Sequence, residues 1–334
     1  MDIDLDLNAF LPDWLTANWM GHPAWMWWNF LSIILSVLAY DLGMFSKKKD
    51  AAPSTKKSLI NTVIYILLAV YFGWSTWNDL GAKSGMEFFT GYAMELSLSI
   101  DNIFVISLIF STLGIPQQYR HRVLFWGIIG VLLLRGLMIG AGAALIIQFS
   151  WILLIFGLFL LYTGFKMLLV NHEPKEMSEN PVLQWMNTHL PVTQDLHGKR
   201  FFTRLPHPQN PLRKITFITP LFVALVLVEI ADLVFAVDSV PAVFAVTQDP
   251  YIVYTSNIFA IIGLRSLFFL LEDMVHRFEY LSKALAFILI FIGGKITVAE
   301  LFHYTLPTEI SLTVVLTLIG SGIFISLLKT RNKD

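Results

Sequence analysis

Six carboxylates stand inside long apolar stretches of the sequence, where charged groups are rare. They are Asp41, Glu95, Asp101, Glu229, Asp232 and Asp238. One Asp at the centre of a bilayer costs about 2.5 to 3.5 kcal/mol, so six without compensation would cost on the order of 15 to 20 kcal/mol, comparable to the stability of a whole protein. Protons, paired basic side chains or a bound cation must therefore compensate them.

The same stretches contain fewer basic residues than acids, namely Arg135, Lys166, Arg265 and Lys295. A divalent metal ion would close this deficit, and two protons would do so equally well. The acids could instead form structural ion pairs that hold helices in register. Together with Asp41, the four cations are candidates for a gate or a secondary site. Asp41 could also simply reach the inner interface.

The acids recur in a repeated pattern. Residues 95–102 read E-L-S-L-S-I-D-N and residues 232–239 read D-L-V-F-A-V-D-S, so each has two acids six positions apart and then a small hydrogen-bonding side chain. After each motif, the next apolar segment contains I-I-G and, a few residues later, an arginine. The segment after that contains a glycine followed closely by a lysine, in T-G-F-K or I-G-G-K. Each unit contains three apolar segments, an odd number, so the second copy must enter the membrane from the opposite side. The sequence predicts an inverted repeat, the plan of many secondary transporters.

The elements that position these acids are membrane helices. Of the 334 residues, 56% are hydrophobic and only 14% charged, whereas soluble domains carry about 25% charge. Apolar windows predict nine transmembrane helices, near 24–46, 59–77, 88–111, 123–147, 151–170, 214–246, 251–271, 284–302 and 309–328. Most of the 23 Lys and Arg then fall on one side of the membrane, with Lys83 alone in a loop on the other. This asymmetry places the N-terminus outside and the C-terminus inside.

The predicted fold class is therefore an all-α polytopic membrane protein. It divides into an N-terminal two-helix segment (1–87), a first three-helix repeat (88–170), a cytoplasmic linker (171–213), a second, inverted repeat (214–302), and a C-terminal helix and tail (303–334). The linker is too rich in proline to be one helix. Leu183, Trp185, Met186 and Leu190 could form a short amphipathic turn at the membrane surface, although a plain cytoplasmic linker that joins the two halves is the favoured interpretation.

Helix geometry limits how the acids can share an ion. Glu95 and Asn102 fall on one helix face, whereas Asp101 lies about 120° away, and Glu229 and Asp238 fall on opposite faces. Both acids of a motif reach one ion only if the helix unwinds locally or if partner helices approach from two sides. Pro241 would free the carbonyl of Val237 for such a site, or simply kink the helix.

The composition excludes several other functions. The chain has no cysteine, which removes disulfides, thiolate catalysis and iron–sulfur clusters, and all eight His lie outside the predicted spans. An oxygen-lined site suits Mg²⁺, Ca²⁺ or Mn²⁺. The nucleotide-binding loop G-x-x-x-x-G-K does not occur, and neither does the G-x-G-D motif of intramembrane proteases. The net charge of -1 does not indicate binding to nucleic acid. We expect neither an enzyme nor a bound cofactor.

At these motifs the sequence resembles the TerC family of integral membrane proteins, and within it the bacterial Alx branch. The resemblance rests on A-Y-D-L-G at 39–43, E-L-S-L-S-I-D-N-I-F-V at 95–105, T-G-F-K-M at 163–167, E-I-A-D-L-V-F-A-V-D-S-V-P-A at 229–242 and T-S-N-I-F-A-I-I-G-L-R at 255–265. These segments span most of the chain.

The resemblance implies Mn²⁺ homeostasis, chiefly export, in the bacterial inner membrane. It also implies an older association with tellurite resistance and a proposed redox-modulating role for the Alx branch. Under this reading the probable ion ligands are Glu95, Asp101, Asn102, Glu229, Asp232 and Asp238. Manganese and the direction of transport come from the resemblance alone. The coupling ion is left open, with protons as one candidate, and the alternatives are a redox modulator or an accessory protein with structural ion pairs.

Overall fold

The computed structural model describes residues 12–41, 55–149, 151–169, 181–193, 195–207, 210–271, 279–302, 304 and 306–331. The side chains of Asp101 and Asp238 lie outside the described residues, although the backbone at both positions is helical. The chain forms two compact units that divide between Ala51 and Ala52.

The described residues of the first unit form one long helix, preceded by a short helix and a two-stranded antiparallel hairpin. Trp27 of the long helix donates a hydrogen bond from Nε1 to the carbonyl of Trp19 in the hairpin at 2.9 Å. In chain order, the elements of this unit are α1 (Asp13–Thr16), β1 (Asn18–Trp19), β2 (His22–Pro23) and α2 (Ala24–Asp41).

The second unit is a helix bundle with one β-hairpin. Its elements are α3 (Thr55–Leu80), α4 (Ala82–Thr112), α5 (Gln117–Gln148), α6 (Ile152–Leu169), α7 (Pro181–His189), β3 (Phe202–His207), β4 (Asn210–Ile218), α8 (Pro220–Phe244), α9 (Pro250–Leu271), α10 (Glu279–Phe302) and α11 (Thr308–Arg331).

Each predicted span overlaps one long helix of the described chain. By length and hydropathy, seven of these helices could cross a membrane: α3, α5, α6, α8, α9, α10 and α11. Helices α2 and α4 are not among the seven, so nine spans remains a prediction. Leu133 and Leu137, one turn apart on α5, are 72% and 71% exposed, as expected for a face that contacts lipid.

The described part of the connection between the two predicted repeats contains a helix and a β-hairpin. Helix α7 covers most of the possible amphipathic turn, with Trp185 exposed and Met186 buried, while its place at the membrane surface stays a prediction. Strands β3 and β4 pair antiparallel, so the prediction of a span beginning at 214 was wrong. The helix begins only at Pro220, because residues 214–218 form backbone hydrogen bonds with β3 and Thr219 is extended.

Helices α6 and α10 cross at glycines. A Cβ atom at Gly164 would lie 2.8 Å from the carbonyl oxygen of Ala286, and one at Gly293 would lie 2.7 Å from that of Gly157. Gly164 and Gly293 are the matching glycines of T-G-F-K and I-G-G-K. Gly157 lies seven residues before Gly164, and Ala286 lies seven residues before Gly293, so these two positions also match. The two contacts therefore exchange when the motifs are exchanged. The early part of each helix faces the late part of the other, so α6 and α10 run antiparallel.

The first two helices of each predicted repeat contact the first two helices of the other. Helix α4 packs on α9 and α5 packs on α8, while α4 also contacts α8 and α5 contacts α9. These four helices surround the acidic motifs. Helices α4 and α8 are continuous through the motifs, including at Pro241, so there is no local unwinding. Of the two predicted ways for the acids of a motif to share an ion, the approach of partner helices from two sides is therefore the one that remains.

Candidate functional site

A buried ion pair joins the first acidic motif to helix α5. Arg135 Nη2 lies 2.7 Å from Glu95 Oε1, and the two side chains are 3% and 1% exposed. The other end of the guanidinium, Nη1, donates a hydrogen bond to Ser239 Oγ at 3.2 Å and another to Asn257 Oδ1. Asn257 is held in turn by its own donation from Nδ2 to the carbonyl of Val253 at 2.9 Å. Arg135 thus connects α4, α8 and α9.

Helix α8 carries two further acids, of which Asp232 lies within electrostatic reach of this pair. Asp232 interacts electrostatically with both Arg135 and Glu95, and Glu229 interacts with Asp232. The Glu229 carboxylate lies directly over Gly130 of α5, where any Cβ atom would overlap it. We call Glu95, Glu229, Asp232 and Arg135 the acid centre.

The acid centre is short of partners as well as of positive charge. Three carboxylates and one arginine make up the acid centre, and the buried Oε2 atoms of Glu95 and Glu229 have no hydrogen-bond partner among the described residues. An unpaired buried carboxylate oxygen is costly, so such oxygens favour a bound cation or a proton.

The acid centre lies at mid-height in the bundle, between two apolar core clusters. The first cluster contains Met94 of α4, Ile139 of α5 and Ala236 of α8. The second contains Ile103, Leu124 and Val228 of the same three helices. On every helix the charged residue falls between a member of one cluster and a member of the other. Polar groups near the bilayer midplane, flanked by apolar layers, are typical of transporter sites.

A small cavity adjoins the acid centre on the side of the second cluster. Its volume is about 30 Å³, and its charged lining residues are Asp232 and Arg265. This volume exceeds the roughly 10 to 15 Å³ that a water molecule needs. Arg265 Nη2 contacts the His121 ring, 2.6 Å from Nε2, and its guanidinium lies over Phe125. The cavity therefore connects the acid centre to the Arg265–His121 pair.

The other predicted site residues lie in various places. Asn102 is buried on α4, whereas the described residues do not include the side chains of Asp101 and Asp238. Asp41 is the last residue of α2, in the first unit. Lys166 is exposed and lies over the Tyr162 ring, and Lys295 donates a hydrogen bond from Nζ to Ser311 Oγ at 2.9 Å.

Two polar residues with clear roles were missed from the sequence. Asn257 belongs to T-S-N-I-F-A-I-I-G-L-R but is not among the predicted ligands, although an amide in an apolar span itself indicates a polar partner. Glu87 is a buried acid 3.8 Å from Lys83 and within electrostatic reach of Lys295. It was missed because α4 begins at Ala82, several residues before the predicted span.

The described residues do not complete a metal site on their own. No three His, Asp or Glu side chains among them lie close enough together to hold one ion. The two acids at the ends of the motifs, Asp101 and Asp238, remain predicted ligands, because their side chains lie outside the described residues.

The fold and the acid centre define a polytopic integral membrane protein with ionisable groups inside its bundle. The family model described as "Integral membrane protein TerC family" matches residues 80–334, and the chain belongs to that family. The predicted resemblance to TerC proteins is thereby confirmed.

Relatives are similar along nearly the whole chain. An uncharacterized membrane protein of Myxococcus xanthus is 43% identical over 94% of this chain and 95% of its own. One of Rickettsia bellii is 45% identical over 92% and 99%. A protein of Photorhabdus laumondii named "Putative membrane-bound redox modulator Alx" is 41% identical over 86% and 89%. No solved structure matches the chain.

Proposed function

We propose that this chain is a secondary transporter of the bacterial inner membrane that exports divalent manganese through the acid centre. The observation that carries the proposal is the chain of electrostatic contacts from the buried Glu95–Arg135 pair through Asp232 to Glu229, three acids with a single arginine. Two buried carboxylate oxygens there lack partners among the described side chains, and hard divalent cations bind such oxygens. Manganese itself, and outward transport, are adopted from the resemblance to the TerC family.

The glycine crossing of α6 and α10 supports an alternating-access mechanism. Its contacts exchange when the two motifs are exchanged, and the helices run antiparallel, as an inverted repeat requires. Two halves related in this way can swap conformations and so expose one site to either side of the membrane in turn. The pairing of α4 with α9 and of α5 with α8 is the pattern expected for such halves.

Flux through purified protein in sealed vesicles tests the proposal. Vesicles loaded with Mn²⁺ should release it faster with the wild-type chain than without protein, and Glu229→Gln should reduce the rate at least tenfold. The matched control is Glu309→Gln, since Glu309 is exposed in the first turn of α11. No Mn²⁺ flux under any ion or pH gradient would contradict transport.

A second candidate function is a membrane accessory protein in which the acids are structural. The Glu95–Arg135 ion pair favours it, because a buried pair can fix the register of two helices. Thermal unfolding in detergent distinguishes the two candidates. Added Mn²⁺ at about 100 times its Kd should stabilise a transporter by about 2.7 kcal/mol, and Glu229→Gln should abolish that gain. In a purely structural protein, Mn²⁺ would give no gain and the substitution would lower stability with or without the metal.

A further inference from the structure

Arg135 divides its contacts between one carboxylate and two neutral groups. Nη2 faces Glu95 Oε1, whereas Nη1 binds Ser239 and Asn257. The guanidinium can therefore release Glu95 while keeping the partners on its other nitrogen. Those partners lie on α8 and α9, in the second predicted repeat, whereas Glu95 lies on α4, in the first.

Arg135 and a metal ion compete for the Glu95 carboxylate. Hard divalent cations sit about 2.0 to 2.6 Å from a carboxylate oxygen, and the guanidinium nitrogen already lies 2.7 Å from Glu95 Oε1. Two positive groups side by side in a buried site repel each other strongly. A cation on either oxygen of the Glu95 carboxylate would lie within a few ångströms of this guanidinium, so its binding favours the displacement of Arg135.

The ion pair is not built like a permanent structural one. Permanent buried pairs satisfy the remaining lone pairs with further hydrogen bonds, but Glu95 Oε2 has no partner among the described residues, and neither does Arg135 Nε. The pair therefore compensates charge without satisfying every polar atom, which suits a contact that is made and broken in each transport cycle.

We propose that Arg135 is a tethered counter-cation that takes the place of the divalent ion after its release. This inference rests on the proposed transport function and adds a consequence to it. An acid centre without a cation would have to move buried, uncompensated charge between its two orientations, which is costly. With Arg135 on Glu95, the empty carrier can reorient without a counter-ion, so the protein performs net export and not only exchange.

Two flux modes measured on the same vesicles test the role of Arg135. In net release, Mn²⁺-loaded vesicles face a medium without divalent ions; in exchange, they face equal Mn²⁺ outside and release labelled Mn²⁺. Exchange never requires the empty carrier to reorient. Arg135→Gln should reduce net release at least tenfold and exchange by less than threefold. The control is Arg120→Gln on the same helix, where Nε donates to the carbonyl of Ile115 and both modes should stay as in the wild type.

Arg135→Lys keeps the positive charge and covers the case in which Arg135→Gln does not fold. In Arg135→Lys, the ratio of net release to exchange should stay within threefold of the ratio in the wild-type chain. A tenfold fall of this ratio in Arg135→Lys, or an unchanged ratio in folded Arg135→Gln, would overturn the inference. Failure of the wild-type chain to move Mn²⁺ in either mode would instead contradict the proposed function.

Discussion

Gly130 sets the position of the Glu229 carboxylate. A methyl group at this position would overlap that carboxylate, which is the far end of a flexible side chain and can be pushed aside. Gly130→Ala should therefore leave the bundle folded, change the free energy of unfolding by about 1 kcal/mol or less, and weaken Mn²⁺ binding at least tenfold. Isothermal titration of the purified protein with Mn²⁺ measures the affinity.

Gly140→Ala is the matched control on the same helix. A Cβ atom at Gly140 would meet no atom within 4 Å, so the substitution tests helix propensity alone. It should leave the affinity unchanged and raise stability slightly, because Ala favours a helix over Gly by about 1 kcal/mol. Equal affinity losses in the two variants would show that the space at Gly130 does not position Glu229.

The charged part of the acid centre could be anticipated from the sequence, because an acid in an apolar span is conspicuous on its own. The pairing could not. Arg135 was one of four candidate cations, and only the helix packing selects it as the partner of Glu95, while Lys166 faces outward and Lys295 binds Ser311. Neutral polar residues give weaker sequence signals, which is why Asn257 was not singled out.

The contact between α6 and α10 depends on backbone atoms that cannot move aside. A Cβ atom at Gly293 would lie 2.7 Å from the carbonyl oxygen of Gly157, and one at Gly164 would lie 2.8 Å from that of Ala286. Gly293→Ala and Gly164→Ala should each lower the free energy of unfolding by about 1 to 3 kcal/mol, the typical loss on overpacking. If the two halves are related by symmetry, the two losses should be similar. Thermal unfolding in detergent measures both.

The neighbouring glycine, Gly294, is the control for this contact. A Cβ atom there would meet nothing within 4 Å, although the residue lies in the same helical turn as Gly293. Gly294→Ala should be neutral or stabilising. A loss as large as that of Gly293→Ala would show that helix α10 is sensitive to any substitution at this level, and not to its close approach to α6.

At the scale of elements, hydropathy predicted the long helices well and the hairpin poorly. An apolar window of about 20 residues is a strong signal, because few other structures use it. Strands β3 and β4 instead contain Pro206 and Pro211 in a polar, basic segment that resembles a loop. The two strands are stabilised by their pairing with each other, so neither can be predicted from its own sequence alone. The missed hairpin also explains why the span expected at 214 begins at Pro220.

Across the whole bundle, charge and apolar packing alternate along the helix direction. The acid centre separates two apolar clusters built on the same three helices, α4, α5 and α8. Under the proposed transport function, an ion would reach the charged middle by passing one cluster at a time, which is the behaviour that alternating access requires.

The orientation of the chain in the membrane can be tested directly, because the protein has no cysteine of its own. Lys83, just before the first acidic motif, and Arg204 in β3 are both exposed, and the distribution of basic residues places them on opposite sides. In intact cells, a membrane-impermeant maleimide should label Lys83→Cys, and should label Arg204→Cys only after the membrane is permeabilised. The cysteine-free parent is the control for background labelling. Labelling of both variants in intact cells would place the two sites on one side of the membrane, which would contradict an odd number of spans between them. Labelling of Arg204→Cys alone in intact cells would mean that the chain has the opposite orientation in the membrane.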